Sequence, residues 1–184
     1  MKTPPSVTAF FPDAKPYWPE TVGHNKVQEL NQIAILVDDI DKAIAHFAEA
    51  LGWEGPFWIS EVENDLEYKG KIVHVKIKLA FIEVAGIEFE LIQPVEGDTP
   101  QSEQLRALGP GLSHLRFVTH DIDGVLRQFS ESGINPVFGY APDGRWVTVY
   151  VNSEHKFGIR YELMLPEAEI LKISQSFDYL KSRK

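Results

Sequence analysis

From Glu29 to Met164 the chain spells one order of elements twice. Gln32-Ile-Ala-Ile-Leu-Val37 is an apolar run of strand length, and Asp39 is placed to cap a helix in which Ile40, Ala43, Ile44, Phe47, Ala48 and Leu51 recur at helical spacing before Gly52. Phe57 to Val62, Ile72 to Val84 and Ile87 to Gln93 then read as strands, with Glu63 to Gly70 as a polar turn and Ala85-Gly86 as the next one. After a connection with a short helix at Ser102 to Leu108, Leu112 to Thr119 is strand and Asp121 to Ser132 is helix. Pro136 to Tyr140, Trp146 to Val151 and Gly158 to Met164 are three further strands.

Sliding the chain 82 positions sets Gln32 on His114 and tests the repetition directly. Asp39, Ile40, Asp41, Phe47 and Glu49 then fall on identical residues, Asp121, Ile122, Asp123, Phe129 and Glu131. The expected organisation is an arm at 1–27, a βαβββ module at 28–94, a connection at 95–111, a second module at 112–165 and a C-terminal helix at 166–184. The arm holds Phe10, Phe11, Pro12, Pro16, Tyr17, Trp18 and Pro19, a composition that sustains neither helix nor interior strand. It reads as an extension pinned by its aromatics or as a flap over a pocket or a second subunit.

Strand parity turns the repeat into chemistry, because alternate side chains point to opposite faces. Ile33, Ile35 and Val37 take the face that packs on the helix, leaving Gln32, Ala34 and Leu36 on the other. The same reasoning leaves Glu88 and Glu90 on that second face, with His114, Arg116, Arg160 and Glu162. Gln32, Glu90, His114 and Glu162 thus present an amide, an imidazole and two carboxylates, donors that suit a borderline divalent ion with positions open to water or substrate. Arg116 and Arg160 either hold a substrate carboxylate or phosphate, or neutralise Glu88 and Glu90. Trp53, Phe57, Trp58 and Trp146 are pocket-lining or core aromatics.

Over Glu29 to Met164 the chain resembles the vicinal oxygen chelate superfamily, which includes glyoxalases, bleomycin-resistance proteins and dioxygenases. The resemblance rests on Gln32-Ile-Ala-Ile-Leu-Val-Asp-Asp-Ile-Asp41, Phe89-Glu-Leu-Ile-Gln-Pro94, Gly109-Pro-Gly-Leu-Ser-His-Leu-Arg-Phe117 and Gly158-Ile-Arg-Tyr-Glu-Leu163. It implies an α+β fold, two tandem βαβββ modules forming a cupped mixed sheet around a metal site, with Gln32, Glu90, His114 and Glu162 as ligands. The approach to His114 and the Lys156 to Glu162 ending look most like methylmalonyl-CoA epimerase. The ligand order Gln, Glu, His, Glu is similar to that of eukaryotic-type glyoxalase I, and one histidine is too few for extradiol ring cleavage.

The implied activity is proton transfer next to a carbonyl through a metal-stabilised enolate, of epimerase or isomerase type, on a carbonyl or acyl substrate such as an acyl-CoA. The cofactor is one divalent ion: Zn, Ni, Co or Mn. Glu162 is the base by resemblance to both enzymes, and aligning Gly70-Lys-Ile-Val-His-Val75 with the epimerases puts a second acid/base at His74, which reads equally as an exposed strand histidine. A glyoxalase I-like lyase is the alternative, and a metal-free binding or resistance protein is the alternative of another class.

Composition narrows the partners. The net charge of -9 argues against nucleic acid, which needs a concentrated basic field. Absence of cysteine excludes disulfides and thiolate zinc sites. No signal peptide or membrane-length apolar run is legible, so a cytoplasmic protein with no membrane partner, forming a homodimer, is expected.

Overall fold

The computed structural model describes residues 27–68, 71–141 and 144–174. The arm and the end of the predicted C-terminal helix, with Phe177 and Leu180, lie outside the described residues. The elements are β1 (Glu29–Leu36), α1 (Ile40–Leu51), β2 (Trp58–Tyr68), β3 (Lys71–Val84), β4 (Ile87–Glu96), α2 (Pro100–Leu108), β5 (Gly111–Val118), α3 (Ile122–Ser130), β6 (Pro136–Tyr140), β7 (Thr148–Val151), α4 (Glu154–Phe157), β8 (Arg160–Met164) and α5 (Glu167–Ser174). The strands form one curled mixed sheet in the order β2-β3-β4-β1-β5-β8-β7-β6. No described helix is long and apolar enough to cross a membrane.

Both major helices start as the repeat requires. Asp39 accepts a hydrogen bond from the Lys42 backbone N–H and Asp121 from that of Gly124, so the two Asp-Ile-Asp motifs cap equivalent helices. Gly52 ends α1 in the left-handed region, at φ 68°, where its N–H reaches the Ala48 carbonyl and a Cβ would add strain. Beneath α1, Ile40, Val37, Ala80 and Leu91 pack with Ile35, Ala43, Ile44 and Phe47. Beneath α3, Ile122, Val125, Val149, Leu163 and Leu165 pack with Phe117, Phe129 and Trp146, and α5 adds Ile170 and Ile173.

The modules meet where β1 pairs antiparallel with β5, and this register carries the repeat. Gln32 lies opposite Arg116 and Ala34 opposite His114; an 82-residue shift turns one pair into the other. The irregular pairs obey the same operation, since Leu30 opposite Phe117 maps onto Leu112 opposite Ile35. The joint is therefore locally two-fold symmetric, bulges included.

Three details differ from the sequence reading. The expected turn from Glu63 to Gly70 is mostly strand, with β2 and β3 paired as far as Tyr68 opposite Lys71. Opposite charges explain the extension: Glu61 and Glu63 reach Lys76 at 3.5 and 3.8 Å. The connecting helix begins at Pro100 rather than Ser102, capped by Thr99 and Ser102 reciprocally. It lays Leu105 against Ala34, Leu36 and Ile92 on the inner face of the first module. A short α4, unforeseen, precedes β8.

Leu91 is fully buried between β4 and α1. Leu91→Ala is expected to cost about 3 kcal/mol of unfolding free energy in a urea titration, through lost burial and a residual cavity. A loss under about 1 kcal/mol would show that this cluster does not carry the first module.

Candidate functional site

Two rows of paired residues cross the inner face at the module joint. One runs Phe81, Glu90, Ala34, His114, Arg160; the other runs Glu88, Gln32, Arg116, Glu162, Tyr150. Because both rows straddle β1 and β5, side chains far apart in sequence become neighbours. His114 Nε2 lies 3.0 Å from Glu162 Oε2, 3.1 Å from Gln32 Oε1 and 3.6 Å from Glu90 Oε2. All four residues are buried, His114 completely.

A further layer of polar groups orients these four. Gln32 Nε2 donates to Glu88 Oε1 at 2.7 Å, which turns the amide oxygen toward His114. Arg116 donates to the same Glu88 oxygen at 3.1 Å and to Asn31 Oδ1 at 3.0 Å. Ser113 Oγ stands 3.2 Å from His114 Nδ1, and Thr148 Oγ1 donates to Glu162 Oε1 at 2.6 Å. The Tyr150 ring meets His114 edge-on at 4.9 Å.

The two carboxylates differ electrostatically. Burial pushes Glu90 up to about 7, only partly offset by His114, while the charge of Glu162 raises it further. Burial acts on Glu162 too, but the hydrogen bond and charge of His114, then Arg116 and the Thr148 hydroxyl, outweigh it and leave its carboxyl below the usual range. Burial, then Glu162 and Glu90, hold the Tyr150 phenol well above its ordinary value, so it remains a proton donor.

Among the described residues, no group of three or more His, Asp or Glu side chains is arranged as a metal cluster. The donor set nevertheless fits a divalent ion. Ligands on bonds of about 2.1 Å lie about 3.0 Å apart at right angles and about 3.4 Å apart at the tetrahedral angle. The separations from Nε2 span that range, and the outer hydrogen bonds on Gln32, His114 and Glu162 are of the kind that fix metal ligands.

The structure brings Gln32, Glu90, His114 and Glu162 together, with Arg116 and Arg160 alongside. Arg116 spends two donors on Glu88 and Asn31; Arg160 Nε donates to Glu154 Oε1 at 2.6 Å. Arg160 Nη1 is buried and is the one side-chain nitrogen or oxygen so placed without a hydrogen-bond partner among the described residues. His74 is not brought to the ring. It sits seven residues along β3 from Phe81, on the opposite face with Lys78 and Ala80, and its nitrogens reach Asp65 at 2.8 Å and Glu63 at 3.4 Å. Its assignment as second acid/base is therefore corrected: unbroken alternation along β3 sends it to the wrong side of the sheet. Trp53 stacks on Phe47 and Trp146 joins the core under α3; Trp58, opposite Phe81, is 70% exposed. Thr148 and Tyr150 were missed, although alternation in Thr148-Val-Tyr-Val151 puts them on the face of Glu162.

Residues 31–168 match the family model of the glyoxalase/bleomycin resistance protein/dioxygenase superfamily. The chain belongs to this superfamily. Its fold is similar to that of methylmalonyl-CoA epimerase from Mycobacterium tuberculosis, at TM-score 0.55 and 20% identity, covering 83% of this chain and 97% of that one. It is similar at TM-score 0.53 and 20% identity to a hypothetical protein from Bacillus halodurans C-125, covering 76% and 94%. A methylmalonyl-CoA epimerase from Streptomyces coelicolor in complex with 2-nitronate-propionyl-CoA matches at TM-score 0.54 and 18% identity, covering 78% and 97%. In sequence, an uncharacterized protein from Bacillus subtilis (strain 168), YqjC, is 23% identical over 96 residues, which are 51% of this chain and 69% of that protein. At these identities the structural likeness to superfamily members is one of fold.

Glu90 also sets a pH dependence in metal-free protein. Its pKa rises from the usual 4.5 to about 7 on folding, so the folded state binds the proton more tightly. The associated stability is complete below about pH 4.5 and is lost as pH rises through about 7, a decline on the order of 3 kcal/mol. Urea midpoints measured across that window should fall with pH, and Glu90→Gln should flatten the slope.

Proposed function

We propose that this chain is a divalent-metal enzyme transferring a proton next to a substrate carbonyl, of epimerase or isomerase type, with Gln32, Glu90, His114 and Glu162 as ligands. The observation that carries the reading is the convergence of three oxygen donors on His114 Nε2 at the module joint. A bound Zn, Ni, Co or Mn ion supplies Lewis-acid stabilisation for negative charge developing on the substrate oxygen. The chain's own groups do the remaining work. A ring carboxylate, Glu162 or Glu90, accepts the carbon-bound proton and gives one back. Burial of the four residues keeps water from competing.

Arg160 is the substrate-binding arginine of this reading, because its buried Nη1 has a donor to offer. A carboxylate, phosphate or thioester oxygen would satisfy it. Arg116 instead balances the charge of Glu88. An acyl-CoA substrate is supported by neighbours described as bound to 2-nitronate-propionyl-CoA and to methylmalonyl-CoA. The donor set of Gln32, Glu90, His114 and Glu162 favours one second reading, a glyoxalase I-like lyase.

Purified protein is expected to carry about one equivalent of divalent metal by elemental analysis. In heavy water it should wash deuterium into methylmalonyl-CoA, and chelation should stop the exchange until metal is returned. Turnover of the methylglyoxal hemithioacetal without that exchange would replace the epimerase reading with the lyase. Protein binding no metal under any loading condition would sink both and leave a metal-free binding protein.

A further inference from the structure

The two halves of the ring are built on equivalent strands, yet their carboxylates are held differently. Tyr150 on β7 pairs with Glu162 as Phe81 on β3 pairs with Glu90; two residues earlier, Thr148 stands opposite Met164 as Leu79 stands opposite Ile92. In the second module both inner-face residues of the neighbouring strand carry hydroxyls, and that of Thr148 donates to Glu162 Oε1 at 2.6 Å. Phenylalanine and leucine at the corresponding places have none to give. Among the described residues, Glu90's carboxylate is met by His114 Nε2 at 3.6 Å, beyond normal hydrogen-bond length.

We propose that Thr148, through its hydroxyl on Glu162, and Tyr150, through its ring against His114, are positioning residues that hold Glu162 as the fixed carboxylate of the ring, leaving Glu90 as the one that can swing. The inference rests on the metal-site reading above and assigns unequal roles within it. A carboxylate held by a hydroxyl on one oxygen and an imidazole on the other has few orientations left, and each bond orders an oxygen that would otherwise exchange positions around an ion. Tyr150 packs its ring against His114 and so restrains the imidazole of that pair. Glu90, backed by apolar Leu79 and Phe81, can rotate away without breaking a hydroxyl contact. This reverses the choice of Glu162 as the proton-carrying group.

The test is calorimetric titration of the full chain with Co²⁺, each variant checked for native near-UV circular dichroism. Thr148→Val is expected to weaken Co²⁺ binding about 10- to 100-fold and to alter the visible Co²⁺ spectrum. Thr148→Ser, which retains the hydroxyl, should bind as the wild type does. Glu162→Gln should lose at least about 10-fold more affinity than Glu90→Gln. If Thr148→Val fails to fold, Glu162→Gln against Glu90→Gln carries the comparison. Wild-type affinity in Thr148→Val, or equal losses in the two glutamine variants, would overturn the clamp while leaving the metal enzyme standing. A wild-type chain that binds no Co²⁺ would remove both.

Discussion

The antiparallel pairing of β1 with β5 is the constraint from which the site follows. Neither module holds a complete set of donors: the first supplies Gln32 and Glu90, the second His114 and Glu162. Only the register that places Ala34 opposite His114 and Gln32 opposite Arg116 brings Nε2 among the three oxygens. A slip of one residue would invert the faces and bury the donors under α1 and α3. Apolar packing on the helix side enforces the register, because Ile35, Val37 and Leu163 have no other core to enter.

That packing also bears an electrostatic cost. Two carboxylates and an imidazole are withdrawn from water at the joint, and each buried charge costs several kcal/mol before its partners are counted. The outer polar layer offsets this unevenly. Glu162 gains Thr148 and His114, whereas Glu90 gains little and holds its proton to near neutrality. Converging donors held in an arrangement unfavourable for folding are a pattern that functional sites share.

Duplication thus leaves a symmetric scaffold with asymmetric contents. The Asp-Ile-Asp helix starts, the bulges at Leu30 and Leu112 and the order of strands are shared between halves. The inner-face residues have diverged, with Gln32 facing His114 and Phe81 answering Tyr150. Scaffold positions answer to packing, which is the same in both halves. Inner-face positions answer to one shared centre, where two identical sets would crowd like donors together.

What the amino-acid order by itself determined was periodicity: the strands, the capped helices, the 82-residue repeat and the face on which Gln32, Glu90, His114 and Glu162 lie. Those properties are local, set by alternation and capping within a few residues. Parity finds the face of Glu162, whereas His74 is suggested by alignment with the epimerases and lies seven residues from Phe81 on the far side of β3. Charge pairing across β2 and β3 likewise overrode a polar stretch that reads locally as a turn. The tertiary structure alone decided which donors meet, that Arg116 is occupied by Glu88 while Arg160 keeps a free N–H, and that the Thr148 hydroxyl of β7 donates to Glu162. Each depends on register between strands distant in the chain, which no local pattern encodes.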